Sequence, residues 1–220
     1  MPALTISSDL RAKCPGIALG LLRAEVRISD DYPALDTLIQ AALQDLQQRM
    51  TRADIHGLPE VAATRAAYKA CGKEPSRYRP SAEALLRRVL SGKGLYRVNN
   101  AVDALNLVSV TTGYSIGGWD AAKIEGNAEL GIGEEGEPYE AIGRGELNIA
   151  HLPLFRDAKG AFGTPTSDSL RTMVRPETTD FLMCFYAFDG PERLSPALER
   201  SAELLADHAF AQNIHTEIIS

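Results

Sequence analysis

The sequence predicts an α+β fold: a helical N-terminal half leads into a mostly antiparallel sheet and a C-terminal helix. Apolar residues between Leu35 and Leu46 recur with the spacing of one helical face, shortly after Pro33. From residue 115 to 186 the chain changes to short apolar runs separated by glycines, which is typical of strands joined by turns. Ser195-Pro196 then opens the last helix, with proline at its first helical position.

The N-terminal half contains one predicted strand and four predicted helices. The apolar segment Gly16–Ile28 ends in alternation and predicts the strand. Ser81 is expected to cap the third helix, with Glu83 near the positive end of its dipole. The helices are predicted to start at Pro33 and to cover about 59–70, 81–91 and 101–112, with glycines 72, 92 and 113 at the ends of the last three.

The C-terminal half contains four predicted strands before a turn at Asp189-Gly190-Pro191. These strands are Ala128–Ile132, Glu146–Leu154, Gly160–Thr164 and Thr179–Ala187. The chain has no internal repeat or low-complexity tract. Its 220 residues suffice for one core, so we expect a single domain over 1–220, although two small lobes would also fit.

The composition is that of an ordinary globular protein, with 45% apolar and 24% charged residues. The sequence has no run of 18 apolar residues, so no membrane span is expected. The first ten residues lack the layout of a secretory signal. Three widely spaced cysteines argue against a disulfide framework. We therefore expect a cytoplasmic protein.

The net charge of −6 disfavours nucleic-acid binding by itself, but the charge is unevenly distributed. Between Arg65 and Arg97 lie nine basic and two acidic residues, a net charge of +7 that leaves −13 for the remainder. A local basic block can attract phosphate while the acidic remainder limits non-specific binding. The alternative is a solvated helical face whose lysines and arginines point toward water.

The common catalytic signatures are missing from the sequence. The four histidines and three cysteines show neither HExxH nor CxxC spacing, so we predict no metal site and no cofactor. A GxSxG elbow and phosphate-binding glycine loops are also absent. Cys184 lies in an apolar segment (FLMCFY), which favours a buried strand cysteine over a nucleophile.

Three segments are unusually polar for their surroundings. One is residues 78–81 (YRPS), before a helix. In the second, Asn99, Asp103 and Asn106 fall on one helical face at i, i+4 and i+7, although helix capping also explains the first of them. The third is residues 164–172 (TPTSDSLRT), where turn chemistry explains most side chains but explains Arg171 less well.

These segments carry a family resemblance. From about Tyr78 to Phe188 the chain resembles the B3/B4 domain of the bacterial phenylalanyl-tRNA synthetase β-chain. Arg97–Ile124 (RVNNAVDALNLVSVTTGYSIGGWDAAKI) follows that domain's pattern of paired asparagines, V-D, a later N and a motif ending in D-x-x-K-I. The TSDSLRT cluster and residues 178–182 (TTDFL) are similar to freestanding members of the family.

The resemblance implies an activity. In the synthetase this domain hydrolyses the ester of a near-cognate amino acid on tRNA, because a binding pocket rejects similar side chains only weakly. It therefore implies a trans-editing aminoacyl-tRNA deacylase that proofreads released aminoacyl-tRNA. Canavanyl-tRNA(Arg) is one candidate substrate.

The departures from the family pattern concern the pocket. Gly117 stands where the synthetase pattern has a histidine, Cys184 where it has a glutamate, and Leu105 where it has a threonine, whereas Asn106 is kept. The resemblance thus implies a pocket in the same place with a substrate other than tyrosine. We expect Gly117 and Gly118 to make it roomier and to let backbone amides approach the ligand.

We predict Asn106 and Asp168 as catalytic residues, with Asp168 as the base or the anchor of the substrate amine and Arg171 orienting it or the RNA end. A guanidinium-like substrate side chain would form an ion pair with a carboxylate, supplied by Asp103 or by the acidic stretch 125–146. The predicted substrate-binding residues are Tyr96, Asn99, Asn100, Asp103, Ser115, Gly117, Gly118, Ser167, Ser169 and Arg171. The predicted phosphate-binding residues are Arg77, Arg79, Arg87, Arg88 and Lys93.

The expected partner is mischarged tRNA, and binding to DNA or to a membrane is not expected. The chain is expected to be a monomer or a weak homo-oligomer. Two other function classes stay open. One is a non-catalytic module that binds tRNA or an amino acid, and the other is a small-molecule hydrolase that does not use RNA.

Overall fold

The computed structural model describes residues 3–220, which form six α-helices and ten β-strands. The helices are α1 (Ser8–Lys13), α2 (Pro33–Arg49), α3 (Pro59–Cys71), α4 (Ser81–Val89), α5 (Asn100–Thr112) and α6 (Leu194–Ala209). The strands are β1 (Leu4–Ile6), β2 (Ala18–Glu25), β3 (Ile116–Asp120), β4 (Ala128–Ile132), β5 (Glu140–Ala141), β6 (Gly145–Glu146), β7 (Pro153–Asp157), β8 (Gly160–Gly163), β9 (Asp180–Ala187) and β10 (Gln212–Ile219).

The strands form two four-stranded sheets and a small hairpin of β5 and β6. The main sheet has the order β10-β2-β9-β3 and is antiparallel throughout. The second sheet has the order β1-β4-β7-β8, in which only the β1–β4 pair is parallel. The α+β fold with a mostly antiparallel sheet arrangement is therefore confirmed.

Strand β9 shows how the main sheet separates two cores. Phe181, Met183 and Phe185 belong to the core that the sheet shares with the helices. The alternate residues Leu182 and Cys184 belong to the core between the two sheets, together with the aromatic side chains of β3, β7 and β8. Successive side chains of a strand point to opposite faces, so one continuously buried strand supplies both layers.

The helix boundaries largely follow the predicted signals. Prolines begin α2 and α3, and Gly72 and Gly113 end α3 and α5 with φ of 93° and 84°. Ser81 does not cap α4 as expected, because Pro80 holds the capping position and the Ser81 N–H donates to Pro165 O at 2.8 Å. None of the helices in residues 3–220 is long and apolar enough to cross a membrane.

One strand prediction was wrong, and several strands were missed, among them β3 and β10. Residues 147–152 form a loop instead of the start of β7, and the buried Lys73 holds it by donating from Nζ to the carbonyls of Asn148 (2.9 Å) and Ala150 (2.7 Å). Strand β10, which follows the predicted C-terminal helix, was missed. Its residues are mostly exposed, so it shows no apolar alternation and depends on pairing with β2.

Asn100 fixes the start of α5 against two other elements. Its Oδ1 accepts from Ser29 N at 3.0 Å, and its Nδ2 donates to Arg27 O (3.0 Å) and His208 O (2.9 Å). The side chain is fully buried. Asn100 thus ties α5 to the end of β2 and to the last turn of α6.

We predict that Asn100→Ala lowers the free energy of unfolding by about 3 kcal/mol, because it removes three hydrogen bonds between a fully buried side chain and partly buried backbone groups. Asn99→Ala is the matched control: Asn99 only caps α5 through Val102 N, so it should cost about 1 kcal/mol. Urea unfolding of both variants measures the difference, and equal losses would contradict this assignment.

Candidate active site

The candidate site lies where the 164–172 loop meets β3, the outer strand of the main sheet. Asp168 accepts a hydrogen bond from the Gly118 N–H at its Oδ2, at 3.1 Å. This contact joins two of the segments that the sequence marked, across 50 residues of chain. Asp168 and Gly118 are both half-buried, so the site borders on solvent.

Three buried polar atoms near Asp168 lack hydrogen-bond partners within residues 3–220. They are Asp168 Oδ1, the indole Nε1 of Trp119 and the hydroxyl of Tyr186. Buried polar groups are nearly always paired, because an unpaired group loses its hydration without compensation. The set offers one acceptor, one donor and one group that can do either. Such a set can hold water or a polar substrate group.

Burial raises the pKa of Asp168 to about 7, although the Gly118 N–H and the Trp119 indole favour its charged form. Burial also raises the pKa values of Cys184 and Tyr186, and the charge of Asp168 adds to both shifts. Both side chains therefore stay protonated at neutral pH. Asp168 is the group of this site that can exchange a proton near pH 7.

The loop that carries Asp168 is held by its own hydroxyls. Thr164 Oγ1 accepts from the N–H groups of Thr166 and Ser167, both at 3.0 Å, and donates to Ser167 O. Tyr139 donates from its hydroxyl to the same Ser167 carbonyl at 2.7 Å. The polar side chains of this segment thus fix the backbone on one side of Asp168.

Two of the three departures from the family pattern, Gly117 and Cys184, are direct cross-strand partners in β3 and β9. The space beside Gly117 is occupied by the Trp119 indole, since a Cβ on Gly117 would lie 2.3 Å from Cζ2 of that ring. A Cβ on Gly118 would lie 2.6 Å from a methyl group of Leu105. The expectation that the two glycines make the pocket roomier was wrong, because neighbouring side chains fill both spaces.

Asn106 is half-buried on α5, next to the Leu105 that packs on Gly118. Its side chain makes no hydrogen bond to any other of residues 3–220, which leaves its amide available. Cys184 is fully buried, so the interpretation of a buried strand cysteine is confirmed.

Three predicted substrate-binding residues are engaged elsewhere, at the start of α5. Asn99 caps the helix and Asn100 makes the contacts described above. Asp103 is fully buried and accepts from Tyr32 Oη at 2.5 Å and from Val98 N at 3.1 Å. The helical face shared by Asn99 and Asp103 was thus a signal of helix anchoring, and the hydrogen bonds of all three residues go to partners other than Asp168.

The remaining polar residues of the predicted site also have structural partners. Arg171 forms a two-point ion pair with Asp157 (2.9 and 3.1 Å), so it does not orient Asp168 as expected. Ser169 Oγ accepts from Arg171 N at 3.2 Å, and Ser115 Oγ accepts from Ala82 N at 3.4 Å. Ser167 contributes its backbone carbonyl, as described above.

The predicted phosphate-binding residues separate into two groups. Arg79 and Arg87 lie against the buried carboxylate of Glu83, on α4. The others are exposed or half-buried: Arg77, Lys93 and Arg88. The Arg88 guanidinium stacks 3.8 Å above the ring of Tyr96, which is 57% exposed. The basic block is therefore several separate features of the surface, not one helical face.

Sequence reasoning missed Trp119 and Tyr186 as site residues. The period-two alternation of β9 could have placed Tyr186 on the face of Cys184, but nothing in the sequence shows that its hydroxyl lacks a partner. In the part of the chain that the structure describes, no group of three or more His, Cys, Asp or Glu side chains is arranged to hold a metal ion.

Asp168→Asn tests whether the carboxylate lowers stability. The folded protein holds the proton with a pKa of about 7, against an ordinary value of 3.8, so wild-type stability falls as pH rises through that window. The stability of the variant does not fall in this pH range, because its amide does not titrate. Its side-chain oxygen can still accept the hydrogen bond from the Gly118 N–H. We expect it to be more stable than wild type by roughly 3 kcal/mol above pH ~7, with a smaller difference at pH ~4. Urea unfolding at both pH values measures this; a difference that is independent of pH would overturn the assignment.

Gly117→Ala tests the packing of Trp119, the sole tryptophan of the chain. The added methyl group would overlap the indole, so we expect a loss of about 2 kcal/mol and a changed tryptophan emission spectrum. Gly57→Ala is the matched control, because a Cβ there meets nothing within 4 Å. Unfolding curves followed by fluorescence should leave the control within ~0.5 kcal/mol of wild type. Equal behaviour of the two variants would contradict the packing described here.

The comparisons with known proteins agree with this architecture. Residues 63–209, about two thirds of the chain, match the B3/4 domain family. The fold is similar to an N-terminal fragment of the phenylalanyl-tRNA synthetase β-subunit from Pyrococcus horikoshii, with a TM-score of 0.51 and 13% sequence identity. The match covers 99% of this chain and 54% of that one, so this chain spans about half the length of the fragment. Among proteins of curated function, none matches. The chain belongs to the B3/4 domain family.

Proposed function

We propose that this protein is an aminoacyl-tRNA deacylase that hydrolyses, in trans, the ester of a mischarged tRNA. The observation that carries the proposal is Asp168: a buried carboxylate with one unpartnered oxygen and a pKa of about 7, bonded to the Gly118 N–H. It lies beside Gly117 and Cys184, the positions where the related synthetase domain has a histidine and a glutamate.

The reaction requires little from the protein, because an aminoacyl ester is already activated. Water attacks the ester carbonyl carbon, and Asp168 takes the proton from the attacking water. The tetrahedral intermediate then collapses with departure of the ribose oxygen, which takes the proton from Asp168, so that the free amino acid and tRNA are released and the carboxylate is regenerated. Bonding of Oδ2 to Gly118 leaves Oδ1 as the proton acceptor. Positioned polar groups such as Asn106 and the Trp119 N–H would stabilise the developing oxyanion.

Asp168 is also the best candidate partner for a cationic substrate side chain. Asp103 is occupied by Tyr32 and Val98, and Glu137 in the acidic stretch is paired with Arg156. A guanidinium-like group such as that of canavanine would pair well with a carboxylate that has an unused buried oxygen. This supports canavanyl-tRNA(Arg) as the first substrate to test. The two roles of Asp168 separate in kinetics: protonation of a base lowers kcat, whereas protonation of an anchor raises KM.

The exposed Arg77 and Lys93 and the half-buried Arg88 are proposed to contact tRNA. The stack of Arg88 on Tyr96 leaves an aromatic ring open at the surface, and such rings bind unpaired bases. The proposed tRNA contacts thus combine charge with one stacking platform.

One alternative is a binding module without hydrolytic activity. It is favoured by the loss of acid–base groups at Gly117 and Cys184, whose thiol is buried and protonated. This alternative requires tRNA or amino-acid binding with no turnover. A hydrolase of small esters that does not use RNA is distinguished by Arg87→Glu/Arg88→Glu, which would leave such an activity intact.

A panel of mischarged tRNAs that includes canavanyl-tRNA(Arg) tests the proposal. We expect release of the amino acid above the uncatalysed rate, and a loss of about 10²–10⁴-fold in Asp168→Asn. If Asp168 acts as base, the wild-type rate corrected for spontaneous hydrolysis should rise with pH and level off above about 7. Asn106→Ala should also lower the rate, whereas the exposed control Asp207→Asn should not. Unchanged ester across the whole panel would exclude the deacylase and favour the binding module.

A further inference from the structure

Glu83, on the first turn of α4, is surrounded by cations. Its side chain is 1% exposed. Arg65 Nη1 and Arg87 Nε each lie 2.8 Å from a carboxylate oxygen, and Arg79 Nε lies at 3.3 Å. His56 Nε2 lies 3.1 Å from the same carboxylate. We call Arg65, Arg79 and Arg87 the guanidinium cluster.

The guanidinium cluster carries more positive charge than Glu83 can neutralise. Three guanidiniums meet one carboxylate, which leaves two positive charges even when His56 is neutral. Burial alone would raise the pKa of Glu83, but hydrogen bonds from Arg87, Arg65 and His56 hold it below its ordinary value. The carboxylate is therefore ionised and accepts hydrogen bonds from Arg65, Arg87 and His56. Because each guanidinium has five N–H donors, most of the donors in the cluster are not used by Glu83.

The surplus donors are reachable from solvent. The side chains of Arg65, Arg79 and Arg87 are 18%, 42% and 25% exposed. Arg79 Nε is buried 3.3 Å from Glu83 without hydrogen-bond geometry, so the accessible donors of Arg79 are those of the exposed part of its side chain. Converging guanidiniums with spare N–H groups are suited to a phosphate, which has several oxygen acceptors and a full negative charge.

The cluster is mechanically linked to the candidate active site. Ser81 N donates to Pro165 O at 2.8 Å, and Ala82 N donates to Ser115 Oγ at 3.4 Å. The first turn of α4 thus contacts both the loop that carries Asp168 and the residue before β3. A phosphate held by Arg79 and Arg87 would be at a fixed position relative to the site.

We infer that the guanidinium cluster binds one phosphate of the tRNA that presents the ester to Asp168, with Glu83 as the positioning residue that holds the three arginines together. The identity of the phosphate donor as tRNA rests on the proposed function. The geometry of the cluster by itself supports only the binding of a phosphate group. Either tRNA or a free phosphate anion could provide that group.

Binding of uncharged tRNA tests the inference, because this RNA carries no ester. Arg79→Gln/Arg87→Gln leaves Glu83 paired with Arg65. We expect affinity about tenfold or more below wild type by fluorescence anisotropy. We also expect the slope of log affinity against log salt to be smaller by about one. The control Arg49→Gln/Arg200→Gln removes the same charge from exposed ion pairs within α2 and α6, and should change affinity less than threefold.

Charge-conserving variants separate positioning from net charge. Arg79→Lys/Arg87→Lys keeps the charge but loses the planar fork, and should weaken tRNA binding several-fold. Glu83→Gln removes one negative charge. If net charge alone attracts tRNA, this variant should bind tRNA more tightly; if Glu83 positions the arginines, it should bind tRNA more weakly. Tryptophan fluorescence checks that this variant is folded; if it is not, the lysine variant decides. Wild-type affinity and salt slope in the lysine and glutamine double variants would overturn the inference.

Competition distinguishes the two sources of phosphate. Inorganic phosphate at millimolar concentration should weaken tRNA binding to wild type and not to Arg79→Gln/Arg87→Gln. If inorganic phosphate binds to the cluster and tRNA does not bind, the cluster is a site for a free anion. That result would overturn the assignment to RNA. Failure of deacylation with intact, cluster-dependent tRNA binding would reject the proposed reaction and leave this inference standing.

Discussion

The hydrogen bond between Gly118 N–H and the Asp168 carboxylate is the contact on which the candidate site depends. It joins the outer strand of the main sheet to a loop that follows the second sheet. Trp119, the neighbour of Gly118, lies in the core between the sheets and packs edge-on against Phe155 and Phe162. The same β3 segment thus positions a polar site on its edge and a large aromatic side chain in the core. A shift of β3 against β9 by one residue would exchange these two environments.

The pKa values of two buried carboxylates in this protein, Glu83 and Asp168, are shifted in opposite directions. Glu83 accepts hydrogen bonds from Arg65, Arg87 and His56, so its pKa is lowered and it is ionised at neutral pH. Asp168 receives one backbone N–H, so burial dominates and its pKa rises to about 7. The first arrangement fixes the directions of side chains. The second keeps a proton exchangeable at neutral pH, which is suited to chemistry and unfavourable for stability.

The sequence analysis assigned Gly118 and Asp168 to one site through the family resemblance, but it did not predict which neighbours would matter. Asn99 and Asp103 shared a helical face with Asn106, yet their hydrogen bonds anchor the start of α5. Periodicity identifies a face without saying what covers it. Gly117 likewise suggested open space, and the indole two residues along the same strand fills it. That outcome depends on a side-chain direction that the residue type does not specify.

The sequence by itself determined the α+β class and most starts and ends of the main helices, because prolines, glycines and apolar periodicity act locally. Its motifs also indicated the B3/4 domain family. Only the tertiary structure decided which polar groups lack partners and which have them. Partner choice depends on distances between segments far apart in the chain, as for Asp168 with Gly118 and for Arg65 with Glu83. Burial then decides whether a carboxylate acts as a fixed anion or as an exchangeable acid, and burial is a property of the packed molecule.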